Sequence, residues 1–334
     1  MSARASLLLA VDAGGSSTRA VVVEPDGTCR GYGLGPAGNP TSAGPEGAVL
    51  AIAEAARGAL HQAQQPNSAV AAVLIAMAGS QDLLPSRLLA EALRYTGDPA
   101  RLRLVSDILA MYHSGAVEPT GCAVVAGTGS IAARVDAGQV TRVYGGTGWL
   151  LGDGGSGFAI GRRVVRAVVA ELDGIAPTTA LTDLVLAELG IARDGRTERG
   201  RSVTLARLMD VLYRERPVVL ARYAPLAFSA SDDPVATAIV EQAHDELAIL
   251  IMAGRGAERS GPVVLGGSVM HHGVLAPGRT RSRALASALD GADVRPARDG
   301  AVGAAVLGLA PPGQPVAVDV FERIRRSATV VRGA

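Results

Sequence analysis

The sequence predicts an α/β protein built from two similar halves. Near the start, an apolar run from Leu7 leads through Asp12 and a turn of small residues into a second β-branched run that ends at Val23, which is the pattern of a hairpin. The same pattern returns at 121–135, with Gly127-Thr128-Gly129-Ser130 as the turn. Each hairpin is followed by a third strand and by alternating helices and strands. We therefore expect a duplicated fold.

The elements of the first half follow from the periodicity of its apolar residues. After the hairpin we expect a weak third strand at 29–34, a Gly- and Pro-rich loop (GPAGNPTSAGPEG), and a helix at about 47–64. The half is completed by a strand at 70–76, a helix at about 83–95, a strand at 102–105 and a helix at 108–114.

The second half repeats this order and adds a helical region. Its third strand is expected at 140–144, a long helix at 158–172, a helical insertion at about 178–230 and an amphipathic helix at 234–252. The remaining elements are a strand at 263–265, the turn Gly266-Gly267-Ser268 with a helix after it, a strand near 292–295, a helix at 301–309 and a tail helix at about 316–326. We place the boundary between the lobes at 118–119, which gives lobes of 1–118 and 119–334.

Composition narrows the possible functions. The 334 residues carry a formal net charge of +1 and are 48% hydrophobic, so they can bury a large core, and we expect neither nucleic acid nor a membrane as a partner. All the basic residues are Arg, and the absence of Lys excludes a Walker-type phosphate loop and Schiff-base chemistry. Cys29 and Cys122 have no neighbours at metal-ligand spacing. The apolar run before Asp12 is too short to cross a membrane, so a cytoplasmic location is expected.

The two hairpin turns have the composition of phosphate-binding loops. Glycines let the backbone approach a ligand, and hydroxyls beside free N–H groups bind phosphate. In the first turn these residues are Gly14, Gly15, Ser16, Ser17 and Thr18. Asp12 would repel a phosphate unless a cation lay between them, so we expect it to hold Mg²⁺ through water. The alternative is an ordinary Gly-rich hairpin in which Asp12 caps its own turn.

These motifs resemble those of the actin, hexokinase and Hsp70 superfamily, whose domains are ribonuclease H-like. Residues 12–18 and 127–130 are similar to its two phosphate motifs, 263–268 to its adenosine motif, and 299–308 to the connecting helix that follows. Within the superfamily, AGTGS (126–130) and GGTGWLLGDGGSGFAIG (145–161) resemble the N-acetylglucosamine kinase group of the BadF/BadG/BcrA/BcrD ATPase family. The likeness covers about 7–309. It implies two actin-like lobes with an ATP site in the cleft between them.

The resemblance assigns the role of general base to Asp107. A carboxylate that ends a buried strand and opens a helix is placed to take a proton from a sugar hydroxyl as the phosphoryl group arrives. The alternative is that Asp107 only caps the helix.

The resemblance also implies two sets of binding residues. Asn39 offers an amide donor and acceptor to sugar hydroxyls, although alone it would be typical of a turn. Asp153 accepts from two adjacent hydroxyls. The substrate set is Asn39, Asp107, Gly129, Ser130, Gly145, Gly146 and Asp153. The nucleotide set, for ATP with Mg²⁺, is Asp12, Gly14, Gly15, Ser16, Ser17, Thr18, Thr128, Gly266, Gly267 and Ser268.

The activity that the resemblance implies is ATP-dependent phosphorylation of N-acetylglucosamine at its 6-hydroxyl, by a homodimer. Glucosamine is the alternative substrate, and its free amine would favour a carboxylate near C2 that the sequence does not locate. Three residues depart from the family pattern. One is Ser17, in the first phosphate-type turn, where related kinases often carry Thr. Thr147 stands where members commonly have Trp, and Gly154 where they often have Glu. Thr147 and Gly154 both lie in the sugar-side loop. They therefore affect the prediction of which sugar is bound more than the prediction of the ATP site.

Functions of other classes remain as alternatives. The same family includes ATPases that activate a radical dehydratase and hold an iron–sulfur cluster through cysteines, but Cys29 and Cys122 are expected to be core residues. A sugar-responsive repressor would need a helix-turn-helix before the first strand, and the related kinases carry zinc-ligand cysteines. The sequence shows neither feature. Whether His271 or His272 touches the nucleotide stays open.

Overall fold

The structure is a computed structural model that describes residues 7–79, 83–310 and 314–333. Its first sheet contains β1 (Leu7–Ala13), β2 (Thr18–Val23), β3 (Cys29–Gly35), β4 (Val70–Met77) and β5 (Leu102–Ser106). The strand order is β3-β2-β1-β4-β5. The first three strands are antiparallel, whereas β4 and β5 run parallel to β1.

The second sheet repeats this topology. It contains β6 (Gly121–Ala126), β7 (Ser130–Asp136), β8 (Gln139–Gly145) and, after a small ribbon of β9 (Thr197–Glu198) and β10 (Arg201–Ser202), the strands β11 (Val263–Gly266) and β12 (Val294–Pro296). The order β12-β11-β6-β7-β8 again joins an antiparallel three-stranded unit to two parallel strands. The expected duplicated α/β fold is confirmed, although the β9–β10 ribbon was not predicted.

The helices of the first half are α1 (Pro40–Gln62), α2 (Ser86–Ala92) and α3 (Asp107–Gly115). The prediction of a loop up to about residue 47 is wrong in part, because α1 begins at Pro40. The Asn39 side chain caps this helix and Pro40 fills its first position, which are two local start signals. Gly44, with φ of 75°, kinks the helix before it continues.

The second half contains nine helices among the described residues. They are α4 (Gly148–Leu151), α5 (Gly157–Leu172), α6 (Ala180–Glu188), α7 (Val203–Leu212), α8 (Ala224–Ser229), α9 (Pro234–Arg255), α10 (Arg283–Leu289), α11 (Gly300–Leu309) and α12 (Val318–Gly333). The helix expected after the Gly266-Gly267-Ser268 turn is a single π-helical turn, Met270–Val274. No helix in the part of the chain that the structure describes combines the length and apolar composition needed to span a bilayer.

Two helices cross between the sheets. Helix α3 follows β5 of the first sheet, yet Ile108 and Tyr112 pack into the core beside β6, β7 and β11. Helix α11 follows β12 of the second sheet, yet its small side chains pack against one face of β1 in the first sheet. The helices meet where Gly303 lies against the carbonyl of Ala110. This crossing brings the first residues of α3 and α11 close to Asp12, near the end of β1.

Candidate active site

The first hairpin turn is closed by backbone hydrogen bonds. The Gly14 N–H donates to Ser17 O over 3.1 Å, and the Gly38 N–H donates to Gly14 O over 3.0 Å. Gly15 and Ser16 are exposed at its tip. Thr18 is buried and its hydroxyl donates to Pro36 O at 2.7 Å. The groups that this turn presents to a ligand are therefore those of residues 14–17.

Asp12 lies behind this turn, against α11, with only 15% of its side chain exposed. A Cβ at Gly300 would overlap its carboxylate, so the side chain fits only because residue 300 is glycine. Arg19, its neighbour across the hairpin, places Nη1 3.6 Å from Asp12 Oδ2. The pKa of Asp12 is raised to about 7, mainly by burial; Arg19 opposes this rise, and the charges of Asp107 and Asp299 add to it. This coupling shows that three carboxylates face the same region.

Asp107 is the first residue of α3, at the carboxyl end of β5. The capping position is held by Ser106, so the structure does not support the alternative that Asp107 is the cap. Burial raises the pKa of Asp107, and the N–H groups of Ile108 and of Asp107 itself lower it by donating to the carboxylate. A carboxyl with a raised pKa is a stronger base than an exposed aspartate.

The second hairpin turn is fixed to the start of α5. The Gly157 N–H donates to Gly127 O at 2.7 Å, and the Phe158 N–H donates to Thr128 O at 3.1 Å. Thr128 itself is exposed. The start of α5 therefore fixes the backbone of the turn, while the Thr128 side chain stays accessible to a ligand.

Asp153 is placed on this turn by an unusual backbone conformation. Its φ is 60°, in the left-handed region that is rare for residues other than glycine. The side chain is buried, packs on Gly129, and accepts a hydrogen bond from Ser130 N at 3.2 Å. The Ser130 hydroxyl donates to Gly154 O at 2.7 Å. These contacts join the phosphate turn to the predicted sugar-side acid.

Gly145 and Gly146 complete this group at the end of β8. Both have positive φ, 69° and 67°, which suits glycine, and the Gly146 N–H donates to Ser130 O at 2.9 Å. Five residues of the predicted substrate set thus lie together: Gly129, Ser130, Gly145, Gly146 and Asp153. Asn39 lies apart from them, in the first half, where its Oδ1 accepts from Thr41 N at 2.8 Å and Gly79 packs against it.

The predicted adenosine turn lies behind the second phosphate turn. Gly267 has φ of 91°, and a Cβ there would overlap the carbonyl of Ala126. Gly266 packs against Met111 and Ala297. Ser268 is exposed and borders a cavity of about 240 Å³, whose lining includes Thr128, Ala221, Phe228, Ser268 and His272.

A larger cavity of about 600 Å³ lies on the other side of Ser268. Its lining includes Arg19, His271, Arg298 and Asp299, together with Arg325 and Arg332 of α12. Asp299 caps α11 and accepts from the Tyr32 hydroxyl at 2.6 Å. Neither Arg19 nor Asp299 belongs to the site residues predicted from the sequence. Counting residues across the hairpin from its turn would have paired Arg19 with Asp12, and the Asp-Gly before an apolar run signals a helix start.

Comparison with known proteins decides the family. The family model described as BadF/BadG/BcrA/BcrD ATPase family matches residues 9–308. The chain belongs to this family. The expected resemblance is confirmed, and the match runs through both hairpin turns, Asp107, Asp153 and the start of α11.

Several proteins named as sugar kinases are similar to this chain. An N-acetyl-D-glucosamine kinase from Dictyostelium discoideum is 25% identical over 292 residues, covering 80% of this chain and 87% of that protein. A crystal structure from Chromobacterium violaceum, assigned as an N-acetylglucosamine kinase, is 26% identical with a TM-score of 0.70, covering 92% of this chain and all of that one. The ROK hexokinase of Thermus thermophilus shares the fold, with 21% identity, a TM-score of 0.50 and coverage of 91% and 97%. The expected actin- and hexokinase-like fold is confirmed.

Proposed function

We propose that the protein is an ATP-dependent amino-sugar kinase that phosphorylates N-acetylglucosamine at its 6-hydroxyl. The observation that carries the proposal is the hydrogen bond between Ser130 N and Asp153, which joins a phosphate-type turn to an acid suited to sugar hydroxyls. The likeness to two proteins assigned as N-acetylglucosamine kinases supports it.

Asp107 is proposed as the general base. Its carboxylate takes the proton of the sugar 6-hydroxyl while that oxygen attacks the γ-phosphorus in line with the leaving oxygen. The raised pKa of Asp107 favours this transfer, because a more basic carboxylate accepts a proton more readily. Asp153 and Asn39 hold other hydroxyls, and Gly145 and Gly146 let the backbone lie close to the sugar.

The nucleotide is proposed to lie across Ser268. The adenosine fits the cavity beside Thr128 and Ala221, and the phosphates extend to the backbone amides of residues 15–17. Arg19 offers a cation near the same turn.

Mg²⁺ is proposed to accompany ATP. Mg²⁺ keeps several waters and binds through one or two carboxylates plus phosphates, which fits the neighbouring charges of Asp12 and Asp107. Bound there, it would neutralise charge on the phosphates. Among residues 7–79, 83–310 and 314–333, no three acidic, His or Cys side chains lie close enough together to hold a metal ion by themselves.

Each sheet is proposed to be the centre of one lobe, with the boundary at 118–119 and closure of the cleft around α3 and α11. Closure would exclude water from the phosphoryl transfer. Small-angle scattering would show compaction with sugar plus a nucleotide analogue.

The homodimer is likewise a proposal, and sedimentation would test it. The cytoplasmic location stays a prediction.

The alternative functions differ in what they require. Glucosamine would need a spare carboxylate near its amine, whereas Glu246, an acid close to the Asp153 loop, is already paired with Arg163. An iron–sulfur activator would need accessible thiolates. Cys29 and Cys122 are buried in separate cores, and burial raises the pKa of each thiol to about 11. The pairing of Glu246 favours N-acetylglucosamine over glucosamine as the substrate. The burial of the two cysteines favours a kinase over an iron–sulfur activator.

The product locates the phosphorylated oxygen. N-Acetylglucosamine is incubated with ATP, Mg²⁺ and the protein, and the product is examined by proton–phosphorus correlated NMR. Coupling of phosphorus to the two C6 protons is the expected result. Coupling to the anomeric proton, or a faster reaction with glucosamine, would contradict the proposal.

A further inference from the structure

Glu246 of α9 contacts the loop that carries Asp153. Its Oε2 accepts hydrogen bonds from Gly155 N at 2.6 Å and from Arg163 Nη1 at 3.1 Å. Its Oε1 accepts a hydrogen bond from Arg163 Nη2. Arg163 is on α5, so the carboxylate links two helices to the loop. About three quarters of each of the two charged side chains is buried. A charged, paired and partly buried acceptor of this kind makes a strong hydrogen bond.

Gly154 makes room for this arrangement. A Cβ at residue 154 would lie 3.3 Å from the Cβ of Glu246, closer than ordinary contacts. The glycine that departs from the family pattern therefore faces an acid that arrives from 92 positions further along the chain. A larger side chain at residue 154 would press against Glu246.

The contacts of this loop explain what Glu246 could control. Asp153 keeps a left-handed conformation, and such backbone strain persists only where the surroundings fix it. On one side, Ser130 holds the Asp153 carboxylate and the Gly154 carbonyl. On the other side, the Gly155 N–H is held by Glu246. The two backbone anchors hold opposite edges of the peptide that joins Gly154 to Gly155, immediately after the strained residue.

We propose that Glu246 is a positioning residue for Asp153: through Gly155 and Arg163 it fixes the loop so that the Asp153 carboxylate stays on the second phosphate turn, ready for the sugar hydroxyls. This inference rests on the proposed function in that Asp153 binds the sugar. The position of the loop itself does not depend on any activity.

The only tryptophan gives a readout that is independent of activity. Trp149 belongs to the same Gly-rich segment, is 43% exposed, and its ring centroid is 5.7 Å from that of Phe158. In Glu246→Leu, which cannot accept from Gly155, Trp149 is expected to become more accessible to acrylamide. Glu241→Leu, an exposed acid lost from the same helix, is the matched control and should leave quenching unchanged. Equal quenching in both variants would overturn the positioning role.

Kinetics test the link to the sugar. Glu246→Leu should raise the sugar KM by about tenfold or more while the ATP KM stays within about twofold, because only the sugar-side loop is displaced. Glu246→Gln keeps an acceptor for Gly155 and should recover most of the loss. An equal rise in both KM values, or no recovery with Gln, would mean that Glu246 serves general stability and would overturn the proposal.

Arg163→Met is the second variant, for use if Glu246→Leu does not fold. It should raise the sugar KM in the same selective way, and an unchanged sugar KM would count against the role of the pair. If the wild-type protein phosphorylates no sugar, the proposed function fails. The fluorescence comparison then still decides whether Glu246 holds the loop.

Discussion

The carboxylate of Asp12 lies against the α-carbon of Gly300, where α11 begins. Asp12 belongs to the first sheet, whereas α11 arrives from the second. The close contact buries the carboxylate, and this burial is the main cause of its raised pKa. A residue central to the proposed phosphate site is thus sensitive to the position of a helix that crosses between the sheets.

The base assignment predicts the effect of Asp107→Asn. An amide cannot take a proton at neutral pH, so kcat should fall by about 10²- to 10⁴-fold while sugar and ATP binding persist. Initial rates and calorimetric binding measure the two effects. Asp98→Asn, which alters an exposed capping aspartate before β5, is the control and should keep full activity. Normal turnover by Asp107→Asn would remove Asp107 from the mechanism.

The crossing of α3 and α11 predicts a stability effect. A Cβ at Gly303 would overlap the Ala110 carbonyl, so Gly303→Ala should lower the free energy of unfolding by about 1–3 kcal/mol. Gly47→Ala on α1 meets only an ordinary contact with Ala43 and should raise stability by about 0.5–1 kcal/mol. Urea denaturation compares the two variants. Similar effects from both would mean that the crossing is not tightly packed.

The proposed adenosine cavity predicts a selective loss of nucleotide affinity. Ala221 lines the cavity of about 240 Å³, and a leucine there would fill part of the space. Ala221→Leu should raise the ATP KM by about tenfold and leave sugar binding unchanged. Ala187→Leu, on an exposed face of α6, should change neither. An unchanged ATP KM in Ala221→Leu would place the adenosine elsewhere.

His113 of α3 predicts how stability depends on pH. Burial lowers its pKa from 6.5 to about 4, although a contact of its Nδ1 with Ala116 O opposes the shift. As the pH falls, His113 therefore becomes protonated near pH 6.5 in the unfolded chain but only near pH 4 in the folded protein. The free energy of unfolding should fall by about 2 kcal/mol between pH 7 and pH 5 through this group.

Replacing the buried imidazole tests this prediction. His113→Gln should lose less stability than the wild-type protein between these pH values in urea denaturation. His61→Gln, which changes an exposed histidine, should follow the wild-type profile. If all three proteins lose the same stability, His113 does not cause the acid sensitivity.

The strands could be predicted because their signals are local. Leu7, Leu9 and Val11 face α1 while Leu8 and Ala10 face α11, so β1 is buried on both sides and reads as a continuous apolar run. The turns between paired strands were equally clear from their small residues. The start of α1 was missed because Gly and Pro outweighed the capping signal of Asn39.

The tertiary contacts of the site could not be predicted in the same way. The grouping of Ser130, Gly146 and Asp153 depends on three separate segments, and the resemblance supplied it rather than any local pattern. Glu246 lies far along the chain from Gly155, on a helix whose periodicity shows only an apolar face. Nothing in the local sequence says which loop an acid on its polar side will meet.

The most direct test of the proposed function is a coupled assay of ADP release with ATP and Mg²⁺ against N-acetylglucosamine, glucosamine, N-acetylmannosamine, N-acetylmuramate and glucose. We predict the highest kcat/KM with N-acetylglucosamine and little ADP release without sugar. ADP release that no amino sugar stimulates, from protein that still binds ATP, would contradict the assignment as an amino-sugar kinase.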